Sequence, residues 1–185
     1  HTIDRCSNGK GRVDSFTLEE LQQFDFGSWY SEEFEGESIL TLDELLDLTK
    51  QHNIGVNIEV KVDRHDVASV ASELKQLLDG KQLPKDKIIL SSFSHDIMRL
   101  LHQHCPGYKL GVLSEKLRKR DWLLLKEIDA FSCNLSLRWI TITDIAKLKN
   151  AGYQVWCFTV NNPNRLAHTN SMDAIFTDYP DRFSN

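Results

Sequence analysis

Two charged side chains in the first half of the chain, Glu59 and Lys61, are the residues best suited to chemistry. They end the segment Asn57-Ile58-Glu59-Val60-Lys61, in which apolar and polar residues alternate. Residues two apart in a strand point to the same face, so Glu59 and Lys61 should lie together, opposite Ile58 and Val60. A buried carboxylate and ammonium are costly unless they meet a metal ion, a phosphate or each other. The segment alone leaves a second interpretation open, an exposed edge strand with a charged solvent face.

The composition limits the classes of function. The 185 residues are enough for one domain with a sizeable core, and the net charge of −5 gives no electrostatic support to a nucleic-acid partner. No apolar run is long enough to form an integral membrane segment. The four cysteines lack metal-binding spacing, and Cys133 and Cys157 lie in apolar runs typical of buried thiols. We therefore expect a cytoplasmic, reducing location. Because the chain opens on His1 rather than Met, we expect a fragment or a processed chain.

The positions of helices and strands follow from capping motifs and hydrophobic periods. Thr17 and Thr41 each begin a capping box, Thr-x-x-Glu, and so predict two helices in the first third of the chain. Strands and helices then alternate, which predicts parallel strands joined by right-handed crossovers. A glycine-rich nucleotide-binding fingerprint is absent, which disfavours an open doubly wound sheet. The predicted strands are residues 54–61, 87–93, 108–113, 129–134, 153–160 and 172–177.

Polar side chains occur where these strands end, a pattern typical of a (β/α)8 TIM barrel whose site lies at the carboxyl ends of its strands. They include Glu59, Lys61, Ser91, Ser92, Asn134, Thr159, Asn161, Thr177 and Asp178. A whole barrel takes about 250 residues. We therefore expect residues 1–185 to form a single, partial domain that covers about the last six β/α units. The strand that carries Glu59 would then be an interior strand of the barrel.

Residues 2–11, Thr-Ile-Asp-Arg-Cys-Ser-Asn-Gly-Lys-Gly, resemble the T-x-(D/E)-R-(T/C)-(T/S)-N-G-x-G segment of the glycerophosphodiester phosphodiesterase family. Further stretches resemble family segments in the same order along essentially the whole chain. The nearest branch is the soluble bacterial one that acts on deacylated phospholipids. These stretches are Gly27–Ser31, Asn57–Lys61, Leu90–Phe93, Phe158–Asn161 and Thr177-Asp178.

The resemblance implies a TIM-barrel phosphodiesterase that hydrolyses glycerophosphodiesters to sn-glycerol 3-phosphate and an alcohol. The family uses a divalent cation, Mg²⁺ or Ca²⁺, held by three carboxylates, of which Glu59 corresponds to the third. The E-x-D motif with the other two, and the H-R and H-D motifs with the acid and base histidines, have no counterpart in this sequence. His1 falls at a variable position and not at that of a catalytic histidine. We therefore expect the catalytic histidines upstream of this sequence.

The remaining site residues each have a structural alternative. Lys61 should neutralise phosphate oxygens, or else form a salt bridge to Glu59. Trp156 and Phe93 are expected to line the substrate pocket, with core packing as the alternative. For Asn134, Thr159, Asn161 and Asp178 the leading alternative is capping of the next helix. The histidines on the predicted helices should be surface or capping residues, and residues 116–120 a solvated helix face.

Three functions remain open at this point. The first is metal-dependent hydrolysis of a small-molecule glycerophosphodiester. The second is a phospholipase C- or D-like reaction that uses an internal hydroxyl of the substrate and gives a cyclic product. The third is a truncated, non-catalytic barrel that only binds ligands, which the missing histidine motifs would favour.

Overall fold

The computed structural model describes residues 1–81, 83–168 and 171–183. Its residues group into two compact units, residues 1–53 and residues 54–185.

The first unit contains both predicted capping boxes. The Thr17 hydroxyl accepts the N–H of Glu20, and the Glu20 carboxylate accepts the N–H of Thr17 at 2.8 Å. Thr41 and Glu44 repeat this arrangement at the next helix. Each box satisfies backbone donors that a helix start leaves without partners, which explains why the helices begin at these residues. The helices are α1 (Leu18–Leu21) and α2 (Leu42–Gln51), with short 3-10 helices at Val13–Ser15 and Glu32–Phe34.

The second unit is built on one six-stranded sheet in which every neighbouring pair of strands is parallel. The strands follow one another in sequence order, and this confirms the predicted parallel α/β fold. They are β1 (Val56–Glu59), β2 (Ile88–Ser92), β3 (Lys109–Ser114), β4 (Ser132–Ser136), β5 (Gln154–Phe158) and β6 (Ala174–Ile175). The helices are α3 (Val67–Lys81), α4 (His95–His104), α5 (Lys119–Glu127) and α6 (Ile142–Asn150), with 3-10 helices at Lys85–Lys87, Pro163–His168 and Pro180–Arg182.

Strand β1 differs from its predicted place. The sequence predicts an interior strand of a barrel, whereas in the described sheet β1 is an edge strand whose one neighbour is β2. The assignment of the strands to the last six of eight stays a prediction.

One face of the sheet is apolar and packs against the helices. Strand partners in register point to the same side of a sheet, so the register defines this face. Its side chains are all buried, and α4, α5 and α6 contact strands β2, β3 and β5. Cys133 and Cys157 belong to this face as free thiols, as predicted, and burial raises the pKa of Cys157 to about 11. The face comprises Ile58, Leu90, Leu110, Val112, Cys133, Leu135, Val155 and Cys157.

Local signals also fix where two of the helices begin and end. The Ser94 hydroxyl accepts the N–H of Ile97 and so caps α4. Gly152 follows α6 with φ of +90°, a conformation that favours glycine and ends the helix. Within the described part of the chain, no helix combines the length and the apolar character that crossing a membrane requires.

Candidate functional site

Glu59 and Lys61 lie together at the carboxyl end of β1. Glu59 is the last residue of the strand, and the Lys61 Nζ lies 3.8 Å from the Glu59 Oε1. The Glu59 side chain is 36% exposed and that of Lys61 69% exposed, so both can reach a ligand. Ile58 and Val60 are buried on the other side, which confirms the predicted alternation. The pair is an exposed ion pair, worth about 0–1 kcal/mol in stability, so fold stability alone does not account for it.

The sheet face that carries Glu59 is polar, in contrast to the apolar face that packs against the helices. In the register, Glu59 pairs with Ser91, Ser91 pairs with Gly111, and Gly111 pairs with Ser132. Asn134 lies two residues after Ser132 on the same face. Ser91, Ser132 and Asn134 are each fully buried. Burying hydroxyl and amide groups is unfavourable unless they are hydrogen-bonded, so this polar face needs an explanation beyond packing.

Three side-chain atoms on this face are buried and have no hydrogen-bond partner within the described residues. They are the Asn57 Oδ1, the Ser91 Oγ and the Asn134 Nδ2. Native structures leave few such groups, and each one needs an explanation, such as a catalytic role or a bound water or ion. Gly111 keeps space between them, because a Cβ there would lie 2.9 Å from the Ser132 Oγ and 3.1 Å from the Asn134 Nδ2. The sequence marked Ser91 and Asn134 only as strand-end residues and gave no signal for this grouping.

The aromatic residues Phe93 and Phe158 also follow the polar face, at the carboxyl ends of β2 and β5. Their rings meet edge to face with centroids 5.6 Å apart, and Phe93 is 45% exposed. Phe93 therefore offers an open aromatic surface one strand away from Glu59.

Trp156 is half-buried in β5, on the same face as Glu59. Its ring packs against Phe131 and Phe176, and its Nε1 donates to the Gln154 Oε1 at 3.0 Å. Because of these contacts, core packing is a stronger alternative for Trp156 than it is for Phe93.

Asn161 joins the carboxyl ends of β5 and β6. Its Nδ2 donates to the Asp178 Oδ2 at 2.7 Å, and its Oδ1 accepts the N–H of Asp178 at 2.9 Å. The Thr177 hydroxyl donates to the same Oδ1. Helix capping was the leading alternative for Asn161 and Asp178, and these bonds instead link the two loops to each other. The residues of the Thr-Val-Asn and Thr-Asp stretches therefore hold these two loops together.

The sequence did not indicate any role for the buried carboxylate of Asp121, which lies in the first turn of α5. Asp121 is 1% exposed, and its Oδ2 accepts both the Arg118 N–H at 2.8 Å and the Ser114 hydroxyl at 2.9 Å. The His95 Nε2 lies 3.0 Å from the Asp121 Oδ1. His95 was expected to be a surface or capping residue, but it is a hydrogen-bonded partner of a buried carboxylate. The neighbouring residues 116–120 are largely exposed, as predicted, but α5 begins at Lys119, so only the last two of them lie on a helix.

A divalent cation fits these residues only in part. The Glu59 carboxylate is a hard oxygen donor of the kind that Mg²⁺ and Ca²⁺ prefer. Among the residues that the structure describes, no group of three or more histidine, cysteine, aspartate or glutamate side chains could hold a metal ion. Glu59 can therefore contribute one ligand, and the described residues do not complete a site around it.

Parallel strands in sequence order, with charged and polar side chains at their carboxyl ends, define an α/β enzyme fold of the TIM-barrel type. Residues 1–182 match the model of the glycerophosphoryl diester phosphodiesterase family, and the chain belongs to that family. Its enzyme class is therefore that of the glycerophosphodiester phosphodiesterases, which hydrolyse glycerophosphodiesters.

Individual relatives agree with this assignment. The chain is similar to a glycerophosphodiester phosphodiesterase of Bacillus altitudinis, with 30% identity over 97% of this chain and 75% of the relative. A glycerophosphodiester phosphodiesterase of Caldanaerobacter subterraneus is 28% identical over 100% of this chain and 76% of the relative. Among solved structures, an Oleispira antarctica phosphodiesterase in complex with the product sn-glycerol-3-phosphate has a TM-score of 0.86. That match has 25% identity and covers 98% of this chain and 74% of the other.

Proposed function

We propose that the protein hydrolyses glycerophosphodiesters to sn-glycerol 3-phosphate and an alcohol, with a divalent cation, Mg²⁺ or Ca²⁺, to which Glu59 contributes one carboxylate. The observation that carries the proposal is the Glu59–Lys61 pair, exposed at the carboxyl end of a strand and backed by a polar sheet face. The product named in the Oleispira antarctica complex supports the choice of substrate class.

The reaction adds water to phosphorus and breaks the bond between phosphorus and the oxygen of the leaving alcohol, which takes up a proton. Lys61 would hold a non-bridging phosphate oxygen as a compact positive charge that its exposed side chain can bring to the substrate. Phe93 would pack against the apolar part of the substrate, and Trp156 would form a second, more deeply buried wall. The proposal assigns no acid or base to the described residues.

The cation, when bound, would polarise the phosphoryl oxygen and stabilise the charge that develops on it. Glu59 would hold it through its carboxylate, and further donors beyond Glu59 would have to complete its shell. The 3.8 Å separation of Lys61 from Glu59 would keep the positive charge of the lysine beside the same phosphate group.

A product assay tests the function directly. We expect the intact protein to release sn-glycerol 3-phosphate from glycerophosphocholine, and excess chelator to abolish the release until Mg²⁺ or Ca²⁺ is restored. Phosphorus NMR of the products distinguishes hydrolysis from a cyclisation, because a cyclic phosphodiester has its own resonance. Activity that persists in chelator would contradict the role of the cation, and a cyclic product would assign the phospholipase-like reaction instead.

Substituting Lys61 tests the phosphate contact. We expect Lys61→Gln to lower kcat/KM by about 10–100-fold, because a charge-assisted hydrogen bond to the phosphate contributes about 1.5–3 kcal/mol. Steady-state kinetics with glycerophosphocholine measures the change. Lys126→Gln, which removes the same charge from an exposed position on α5, is the matched control and should leave kcat/KM unchanged. Equal effects of the two substitutions would mean that Lys61 contributes only net charge.

A further inference from the structure

The end of β1 that presents Glu59 and Lys61 is held by a side chain of the next strand. The hydroxyl of Ser92 donates to the carbonyl oxygen of Val60 at 2.6 Å. Val60 lies between Glu59 and Lys61 in the chain, so this bond acts on the backbone that carries both side chains. Ser92 is 2% exposed and Val60 is also buried, so water does not compete for the bond.

The hydroxyl of Ser92 replaces a backbone donor. The Val60 N–H donates to the Ser91 carbonyl at 2.8 Å, which is the last ladder bond between the two strands. A parallel ladder that continued would bring the N–H of Phe93 to the Val60 carbonyl. Strand β2 ends at Ser92, where the chain turns towards α4, and the serine hydroxyl supplies the missing donor instead. Val60 is thus bonded through both its N–H and its carbonyl at the point where regular pairing stops.

The same hydroxyl also fixes the start of α4. It accepts the N–H of Ser94 at 3.0 Å, and Ser94 is the N-cap of α4. The Ser92 bridge, meaning these two bonds of the Ser92 hydroxyl, therefore ties the end of β1 to the start of α4. A site built on a strand end needs such support, because small displacements of a reacting group lower the rate strongly.

We propose that Ser92 is a positioning residue that holds Glu59 and Lys61 in place for phosphodiester hydrolysis. The proposal rests on the function proposed above for these two residues. Ser92 itself points to the helix side of the sheet, in register with Val112, and so would act on the substrate only through the backbone of Val60.

Ser114 provides a matched control. It is the last residue of β3 as Ser92 is the last residue of β2, it points to the same side of the sheet, and it is also buried. Its hydroxyl lies 2.9 Å from the Asp121 Oδ2 and 3.0 Å from the Lys116 carbonyl, and neither partner belongs to β1. Ser114→Ala therefore removes a buried serine hydroxyl without touching the Ser92 bridge.

The experiment compares Ser92→Ala, Ser92→Thr and Ser114→Ala in the intact enzyme. We expect Ser92→Ala to lower kcat by about 10–100-fold with KM changed less than about 3-fold. The reason is that a displaced Glu59 or Lys61 stabilises the transition state less well, while its binding of the substrate changes little. Ser92→Thr keeps the hydroxyl, so it should retain kcat within about 3-fold although its extra methyl group crowds a packed core. Ser114→Ala should retain the wild-type kcat. If Ser92→Ala does not fold, Ser92→Cys replaces it, because a thiol has nearly the same size and is only a weak donor.

A second measurement does not depend on activity. Amide hydrogen exchange of Val60 should become about 10-fold faster in Ser92→Ala and stay unchanged in Ser114→Ala, because only the first opens the end of β1. A wild-type kcat in Ser92→Ala, or an equal loss in Ser114→Ala, would overturn the proposal. If the wild-type protein hydrolyses no glycerophosphodiester, the proposed function fails. The Val60 exchange rate then decides by itself whether Ser92 holds the end of β1.

Discussion

Replacing Glu59 with glutamine should lower kcat/KM for glycerophosphodiester hydrolysis by about 10³-fold, the largest effect on activity that we expect from any single residue of this chain. Glutamine preserves the size of the side chain and one oxygen but removes the negative charge that a divalent cation requires. Glu59 is exposed at the end of β1, so the substitution should leave the fold intact. Steady-state kinetics at saturating Mg²⁺, together with the free energy of unfolding, measures both effects.

Two comparisons make this prediction specific. Glu73→Gln removes the same charge from an exposed position on α3 and should leave kcat/KM unchanged. Glu59→Asp keeps the carboxylate on a side chain that is one methylene shorter, so it should lower kcat/KM less than Glu59→Gln does. If Glu59→Gln retained more than about a tenth of the wild-type kcat/KM, a contribution of this size from the carboxylate would be excluded.

The sequence identified Glu59 and Lys61 as candidate site residues because their pattern is local. Alternation with period 2 placed Glu59 and Lys61 opposite Ile58 and Val60, and the structure confirms that Ile58 and Val60 are buried. Capping boxes are equally local, since Thr17 and Glu20 are only three residues apart, and the helix there begins as predicted. The parallel sheet followed from the alternation of strands and helices, which is also a property of neighbouring segments.

The parts that could not be predicted depend on residues far apart in the chain. Asp121 and His95 are 26 positions apart, and nothing in the charged sequence around Asp121 distinguishes it from its exposed neighbours. The Ser92 hydroxyl meets a carbonyl 32 positions away. Strand-end residues such as Asn161 could be recognised as polar, but the choice between capping a helix and bonding to another loop depends on the register of the sheet. Register is set by the packing of whole faces and is not visible in a single segment.

These unpredicted contacts share one location. Ser92 links the end of β1 to the start of α4, His95 and Ser114 meet at Asp121 and so link the segments that follow β2 and β3, and Asn161 links the ends of β5 and β6. Loops at the carboxyl ends of parallel strands carry the functional side chains of such folds, and loops are otherwise the most mobile parts of a domain. Each of these polar links limits the motion of the loops it joins, and the Ser92 bridge is the one that reaches the strand end on which Glu59 and Lys61 stand.

The link at Asp121 should contribute most to stability, and we expect Asp121→Ala to lower the free energy of unfolding by about 2–4 kcal/mol, because each buried donor left without an acceptor costs about 1–3 kcal/mol. The reason is that alanine leaves the Arg118 N–H and the His95 ring without their acceptor, while the Ser114 hydroxyl keeps only the Lys116 carbonyl. Each lies in or near a buried position where water does not readily replace the carboxylate. Urea unfolding followed by circular dichroism measures the change.

The size of this effect depends on burial, and a second carboxylate of the same region shows why. Asp96, in the first turn of α4, contacts the guanidinium group of Arg99, since its Oδ1 lies 3.2 Å from the Arg99 Nη1. Its side chain is 83% exposed, so water replaces the contact, and Asp96→Ala should change the free energy of unfolding by less than about 0.5 kcal/mol. If Asp121→Ala cost less than about 1 kcal/mol, comparable to an exposed pair, then its three hydrogen bonds would not be holding these loops. A double-mutant cycle with His95→Leu separates the contribution of the His95 contact from the loss of the other two bonds, because coupling between contacting residues appears as non-additivity.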